Sequence, residues 1–379
     1  MRVLQLGKYW RQDGGIETHV KTLCRGLAEL GVEVVDLVSS LDKTASDFVT
    51  DGFHVVEAST LGIHFSTSIS PSMVAAAHRL HQEKPFDVVH LHFPDPMSHL
   101  ASMVLPKSIP RVISWHSDII KQKHLLKLYR PWQYRQIMQA AAIIVPTPAH
   151  FSSSTQIPSS YPSIKRHIIP YGLDYTQHTH SNEVADKGLE IRRRANGRFV
   201  IFAVGRHVGY KGFDVLLEAL QHTDAYLVLG GDGPLRGMLQ AQALQLGVED
   251  RVWFSGRLSA ADMATSYQAC DVFCLPSVTP NEAFGLVQLE AMACGKPVIC
   301  TQLNNGVNAV NPHGMTGLTV PVQDPIALGQ AIETLRLDSA LRHRLGQQAQ
   351  QHALTTYAMQ TMCQRHKSLY EGLAPNAAD

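Results

Sequence analysis

Short apolar runs alternate with stretches of helical period along this chain, and the whole cycle occurs twice. Residues 2–7 read as a strand, 16–30 as an amphipathic helix and 32–38 as a strand. Residues 87–93 and 111–115 are further strands, 125–142 a helix and 143–146 a short strand. The second cycle opens with strand 198–205 and helix 213–222. It continues through strands 225–230, 252–255, 272–275 and 297–301, with helices 234–246, 260–269 and 285–294 between them. Strands of four to seven apolar residues, each followed by a helix, are buried on both faces and therefore pair in parallel. Two such series predict an α/β protein of two doubly wound, Rossmann-like domains. The expected division is 1–173, a polar linker 174–196 containing Arg192, Arg193 and Arg194, a second domain 197–355, and a C-terminal stretch 356–379.

At 379 residues the chain is long enough for two cores. No apolar run approaches the ~20 residues of a spanning helix, and residues 1–10 lack the apolar region and cleavage site of a signal peptide. The six cysteines are scattered, with no zinc-knuckle spacing, so neither a disulfide framework nor a structural zinc is expected. The cytoplasm is the expected compartment. A net charge of +1 argues against nucleic acid as a partner. The charge is uneven: residues 1–173 carry +4 and the remainder −3, and no Asp or Glu occurs from Ile119 to Leu173.

Four segments carry candidate chemistry. Gly14 and Gly15 stand between the first strand and the first helix, where paired glycines let a ligand approach free N–H groups. Gly205-Arg206 and Lys211-Gly212 occupy the corresponding turn of the second domain, where a guanidinium fork and an ammonium can hold a diphosphate. The run Gly230-Gly231-Asp232-Gly233 ends the next strand in a similar way. Glu282 and Glu290 flank and enter a helix of otherwise small or apolar residues, with Ala283, Phe284, Gly285 and Leu286 at its start. Buried carboxylates need partners; here sugar hydroxyls suit Glu282 and a ribose diol suits Glu290. No Asp-x-Asp occurs, and His90 and His92, alternating on one strand, have no carboxylate near them in sequence, so no metal is expected.

These segments together resemble a family 4 (group 1) glycosyltransferase of the GT-B type, and the resemblance covers nearly the whole chain. The matching motifs are Gly14-Gly15-x-x-x-His19, the Gly-Arg…Lys-Gly loop, GGDGP and, most diagnostic, Glu282-x7-Glu290. The resemblance implies two facing domains, with the C-terminal helix returning to the first. It implies that Glu282 contacts the donor sugar, Glu290 the nucleotide ribose, and Arg206 and Lys211 the diphosphate. His116 would reach the donor near the reacting centre, and Gly15 would pack against phosphate. All these positions match, so nothing suggests an inactive relative. Retention of anomeric configuration is implied, without a metal or any cofactor beyond the nucleotide-sugar co-substrate. Segment 116–142 is similar to those of O-antigen mannosyl- and rhamnosyltransferases, which favours a GDP-mannose-type donor and a lipid-linked saccharide acceptor. A UDP-glucose or UDP-N-acetylhexosamine donor, a non-hydrolysing UDP-sugar epimerase and a non-catalytic partner of a glycosyltransferase complex are the competing readings. Finally, Lys121, Lys123, Lys127, Arg130 and Arg135 are interleaved with Leu125, Leu128, Trp132 and Tyr134, a composition that suits peripheral contact with an anionic membrane.

Overall fold

The computed structural model describes residues 1–11, 14–64, 67–119, 123–176 and 182–374. Two compact units emerge: residues 1–172 together with the C-terminal residues from Met359, and residues 173–358.

In chain order the first unit contains β1 (Arg2–Leu6), α1 (Gly15–Glu29), β2 (Glu33–Ser39), β3 (Ser46–Thr50), β4 (Phe53–Ala58), β5 (Gly62–His64), β6 (Thr67–Ile69), α2 (Pro71–Glu83), β7 (Val88–Phe93), α3 (Pro96–Met103), β8 (Arg111–Trp115), α4 (Lys123–Gln139), β9 (Ala142–Val145), α5 (Pro148–Ser153) and β10 (Arg166–Ile168). Eight of these strands form one sheet in the order β10-β9-β8-β7-β1-β2-β4-β3, while β5 and β6 pair separately. Every pairing in the large sheet is parallel except the β3–β4 edge. The central strands β1, β7 and β9 are buried at every residue, as in a sheet covered on both faces, including the polar Gln5, His90 and His92.

The second unit contains α6 (Asn182–Ala195), β11 (Val200–Val204), α7 (Phe213–Ala219), β12 (Tyr226–Gly230), α8 (Arg236–Gln245), β13 (Val252–Gly256), α9 (Ala260–Ala269), β14 (Val272–Leu275), α10 (Leu286–Ala293), β15 (Val298–Thr301), α11 (Gly306–Val310), β16 (Gly317–Val320), α12 (Pro325–Leu337) and α13 (Ser339–Thr356). Its sheet is wholly parallel, in the order β13-β12-β11-β14-β15-β16. The last helix, α14 (Met359–Leu373), belongs to the first unit and packs on α1, with Met359, Met362 and Cys363 joining Leu23, Cys24 and Leu27 in one apolar cluster.

The linker expectation is corrected. Residues 182–195 are helical, and the face of α6 is tied to the second unit by a bidentate pair from Arg192 to Asp271 at 2.7 and 2.9 Å. Arg193 and Arg194 both hold Glu190. A polar helix is stable here because its charges pair at helical spacing. The sequence reading also passes over residues 39–86, where β3 to β6 and α2 lie. The β3 strand is half-exposed at the sheet edge and short of apolar residues, so its period is faint.

Candidate active site

Each large sheet has a point where the chain, having built strands outward on one side, returns and builds on the other. That point lies between β1 and β7 in the first unit and between β11 and β14 in the second. Loops beyond the carboxyl ends of the two flanking strands diverge there and leave a crevice for ligands. In the second unit the loops following β11 and β14 carry Gly205, Arg206, Lys211, Glu282, Ala283, Phe284 and Gly285, so the sequence-selected residues gather at one switch point.

Lys211 and Glu282 form one buried ion pair. Lys211 Nζ donates to Glu282 Oε2 at 2.5 Å, with side chains 10% and 11% exposed. Ser277 Oγ donates to the same oxygen at 3.1 Å, and Asn305 Nδ2 donates to the Glu282 carbonyl at 2.7 Å. A buried pair persists only when its remaining valences are met; Ser277 meets part of that need, while Asn305 holds the Glu282 backbone. The ammonium has three donors, so an arriving anion can join a cation that Glu282 has already aligned. Arg206 is exposed, and its side chain has no partner among the described residues. Gly212 brings the two loops together: its φ is +66°, and a Cβ there would stand 2.1 Å from the Pro276 carbonyl oxygen. Gly285 caps α10 with φ +71°, and a Cβ would stand 2.6 Å from Leu275 Cδ2. Leu286 opens that helix, and Glu290 lies one turn in, where Tyr267 Oη donates to Glu290 Oε2 at 2.7 Å. Burial pushes the Glu290 carboxyl above its usual range, and the Tyr267 bond pulls the other way. Gly233 stands in the loop after β12, against the backbone of His207.

In the first unit Gly14 is the N-cap of α1 and Gly15 its first residue, on the stretch that follows β1. His19 therefore sits inside α1, and it is buried. His116 directly follows β8. Its Nδ1 lies 2.6 Å from Tyr171 Oη and its Nε2 lies 3.1 Å from His92 Nδ1. Only 4% of His116 is exposed, and burial holds its pKa down at about 3. The His19 ring packs 4.5 Å from the Tyr171 ring, centroid to centroid, and both its nitrogens are buried without a hydrogen-bond partner among the described residues. His19, His92 and His116 offer nitrogens that all lie within 4.8 Å of one another, the grouping among the described residues that could hold a metal ion. It contains no carboxylate, and the facing nitrogens of His92 and His116 are hydrogen-bonded to each other. These imidazoles are scattered over residues 19–116 and converge only in the fold, which is why spacing along one strand could not show them.

The family models match on both units: "Glycosyltransferase Family 4" over residues 13–177 and "Glycosyl transferases group 1" over residues 187–352. The chain is 37% identical over 339 residues to the D-rhamnosyltransferase WbpZ of Pseudomonas aeruginosa, covering 88% of this chain and 86% of that protein. The chain belongs to the family 4, group 1 glycosyltransferases. It is also 29% identical over 376 residues to the O-antigen chain mannosyltransferase C of Escherichia coli, covering 98% of this chain and 99% of that one. Among solved structures it resembles the sucrose-phosphate synthase of Thermosynechococcus elongatus, with a TM-score of 0.80 at 21% identity over 98% of both chains. It also resembles Anabaena Alr3699/HepE, solved with UDP and glucose, with a TM-score of 0.77 at 21% identity over 98% of this chain and 100% of that one. The fold is the GT-B one.

Sequence reasoning missed four residues that hold this glycosyltransferase's candidate site in place. Ser277 and Tyr267 are the partners of the two carboxylates already described, and Asn305 that of the Glu282 backbone carbonyl. Gln288, fully buried in α10, donates to the carbonyls of Phe284 at 2.7 Å and Val307 at 3.3 Å. None belongs to a motif with a chemistry of its own; only the polar type of Gln288 within an apolar helix was a signal. Of the membrane-contact residues, Lys121 and the Lys123 side chain lie outside the described residues. Lys127 and Arg130 are exposed on α4, with Leu125, Leu128, Trp132 and Tyr134 exposed among them. Where α4 ends, a cavity of about 840 Å³ is lined by Lys107, Arg111, Trp132, Arg135 and Lys165 among others. No helix among the described residues is long and apolar enough to cross a membrane.

Proposed function

We propose that this glycosyltransferase is a retaining, metal-independent hexosyltransferase. It moves a mannose-type hexose from a nucleotide-diphosphate sugar to a lipid-linked saccharide in surface-polysaccharide synthesis. The observation that carries the reading is the switch point of the second sheet, where the buried Lys211 and Glu282 form an ion pair and Tyr267 holds Glu290. Arg206 and Lys211 take the diphosphate, Glu282 a donor hydroxyl and Glu290 the ribose diol, while His116 serves the donor sugar near the reacting carbon. Support for retention without a covalent intermediate comes from the commitment of both carboxylates: Glu282 to Lys211, and Glu290 to Tyr267. The anomeric carbon–oxygen bond to the diphosphate breaks, and the acceptor oxygen bonds to the same face. The acceptor proton passes to the departing diphosphate oxygen. Fixed cations stabilise that departing charge, so transfer is expected to persist in excess EDTA; loss restored by Mg²⁺ or Mn²⁺ would overturn metal independence.

The names of the bacterial relatives, a D-rhamnosyltransferase and an O-antigen chain mannosyltransferase, support a mannose-type hexose and a surface-glycan product. The test is a thermal-shift panel of GDP, UDP and ADP with their sugars, since a ligand that binds only the folded state raises the apparent melting temperature. A shift with GDP-mannose above that with UDP-sugars is expected, and the reverse order would transfer the reading to a UDP-hexose. Incubation of donor alone separates the epimerase reading, which needs no acceptor. The exposed aromatic and basic face of α4 supports peripheral contact with an anionic leaflet.

A further inference from the structure

Seven side chains of the first unit form one unbroken hydrogen-bond chain, six of them buried and running along three neighbouring strands and α14. In order they are Ser114, His90, Tyr370, Gln5, His92, His116 and Tyr171. Ser114 Oγ lies 2.8 Å from His90 Nε2, and His90 Nδ1 lies 2.6 Å from Tyr370 Oη. Gln5 Nε2 donates to Tyr370 Oη at 3.3 Å, and Gln5 Oε1 lies 2.9 Å from His92 Nε2. The last two links are those of His116 to His92 and Tyr171 given above.

A neutral imidazole has one donor and one acceptor, so the direction of such a chain is set by the orientation of the one amide in it. Gln5 turns Oε1, which can only accept, towards His92 and its amino group towards Tyr370. His92 therefore carries its proton on Nε2 and presents a bare Nδ1. His116 must then donate from Nε2, and its bare Nδ1 accepts from the Tyr171 hydroxyl. On the other arm Tyr370, already accepting from Gln5, donates to His90 Nδ1, and His90 donates to Ser114. Every member is satisfied with no charge anywhere, as burial demands. Were the Gln5 amide turned over, the same distances would carry the opposite polarity throughout, and His116 would hold its proton on Nδ1.

We infer that Gln5 is a positioning residue that acts through His92 to fix His116 as its Nε2–H tautomer. The inference rests on the reading of His116 as a donor-site group. The burial of Gln5, which exposes none of its surface in the central strand β1, is otherwise hard to account for: an apolar residue would fill that place at lower desolvation cost. Which ring nitrogen bears the proton is set by the partner of the other nitrogen, and here that control reaches His116 across one intervening ring.

The test uses the full chain labelled with ¹⁵N-histidine, with the His116 signals assigned by their disappearance in His116→Ala. The wild type should show a protonated, pyrrole-type Nε2 and a bare Nδ1 at His116. Gln5→Met should give a mixture of the two forms. With GDP-mannose and a lipid-diphosphate-linked saccharide it should lower kcat about ten- to a hundredfold, the scale on which partners behind a functional histidine act, with little change in KM. Gln5→Glu, whose carboxylate still accepts from His92, should restore the Nε2–H form and most of kcat. If Gln5→Met does not fold, Tyr370→Phe frees the Gln5 amide to turn, and an Nδ1–H form should appear at His116. An Nδ1–H tautomer in the wild type overturns the inference, as does a His116 tautomer unmoved in both Gln5→Met and Tyr370→Phe. Full transfer activity in His116→Ala would instead remove the donor-site reading of His116 while leaving the tautomer result standing.

Discussion

At the switch point of the first sheet a hydrogen-bonded chain of imidazoles, phenols and an amide joins neighbouring strands; at that of the second a buried ion pair and a further carboxylate stand on and beside the loops. The sheets share one plan, so the backbone does not account for the difference. A neutral chain can be buried at modest cost because each member gives and takes one hydrogen bond, and what it fixes is where protons reside. A charged cluster is costly to bury, and what it fixes is electrostatic potential, the property a departing diphosphate requires. The comparison assigns proton placement to the first unit and charge stabilisation to the second. It also predicts that the two units fail under different conditions.

Acid should separate them most. Burial pushes down the pKa values of His19, His90, His92, His116 and His366, to about 3 at His116 and about 4 at His366. A histidine neutral when folded but protonated when unfolded favours the fold fully above the unfolded value near 6.5, and that contribution is lost as pH falls towards 4. Three carboxyls act with the opposite sign. Burial pushes Asp36 up to about 7 and raises Asp95 and Glu290, so each favours the fold at low pH and loses that contribution as pH rises. In the first unit five histidines outweigh two aspartates. Hydrogen exchange on the full chain should therefore show β7, β8 and α14 losing protection between about pH 6.5 and pH 5 while β11 and β14 keep theirs. Equal loss in both sheets would break the comparison.

Removing charge should damage the second unit's function most. Lys211→Ala leaves Glu282 buried with no cation. A drop in stability of about 3 kcal/mol is expected, with turnover reduced about 10²-fold or more. Arg206→Ala, at an exposed side chain, should cost similar turnover and almost no stability. Chemical denaturation and steady-state rates on the same preparations separate the two, and near wild-type turnover in both variants would remove the phosphate clamp.

A smaller effect sharpens the role of the phenol in each unit. Tyr171 is expected to donate to a neutral ring, whereas Tyr267 donates to a carboxylate at 2.7 Å. Bonds to a charged group are worth about 1.5–3 kcal/mol, so Tyr267→Phe should weaken nucleotide-diphosphate binding roughly tenfold. Without that bond the Glu290 carboxyl moves further up, and the loss should shrink as pH rises. Calorimetry across neutral pH reads this directly, and a loss that grows with pH would reverse the assigned protonation.

What could be read from the sequence follows the same division. Glu282, Glu290, Arg206 and Lys211 lie in short local motifs beside strand ends, and the fold places them where those motifs suggest. That Lys211 and Glu282 form a single pair was not legible, because the two loops meet only through the pairing of β11 with β14 and the close approach at Gly212. The chain through Gln5, His92 and Tyr370 was less legible still: its members are far apart in sequence, and each alone reads as an ordinary core polar residue. Likewise Arg192, Arg193 and Arg194 read as a free basic run of a linker, whereas Asp271 and Glu190 neutralise them in the fold.

That neutralisation supplies the control for the smallest effect. From Pro96 to Leu173 the only acidic residue is Asp118, which accepts from Trp115, Ser154 and Thr155 and is thereby occupied. Lys127 and Arg130 are exposed on α4, beside exposed Leu128 and Trp132. A basic residue near an anionic leaflet contributes about 1 kcal/mol, so Lys127→Gln with Arg130→Gln should weaken binding to phosphatidylglycerol-containing vesicles by roughly 2 kcal/mol, or about thirtyfold. Arg193→Gln with Arg194→Gln removes the same charge from the second unit, where Glu190 already balances part of it, and should change binding little. Salt should erase the difference between wild type and the α4 variant, because screening shortens the reach of surface charge. Co-sedimentation at low and high salt measures all three. If the α6 variant lost as much as the α4 variant, membrane contact would follow net charge rather than the first unit's surface. If the wild type ignored these vesicles at low salt, membrane contact would be lost and the glycosyltransferase would stand without it.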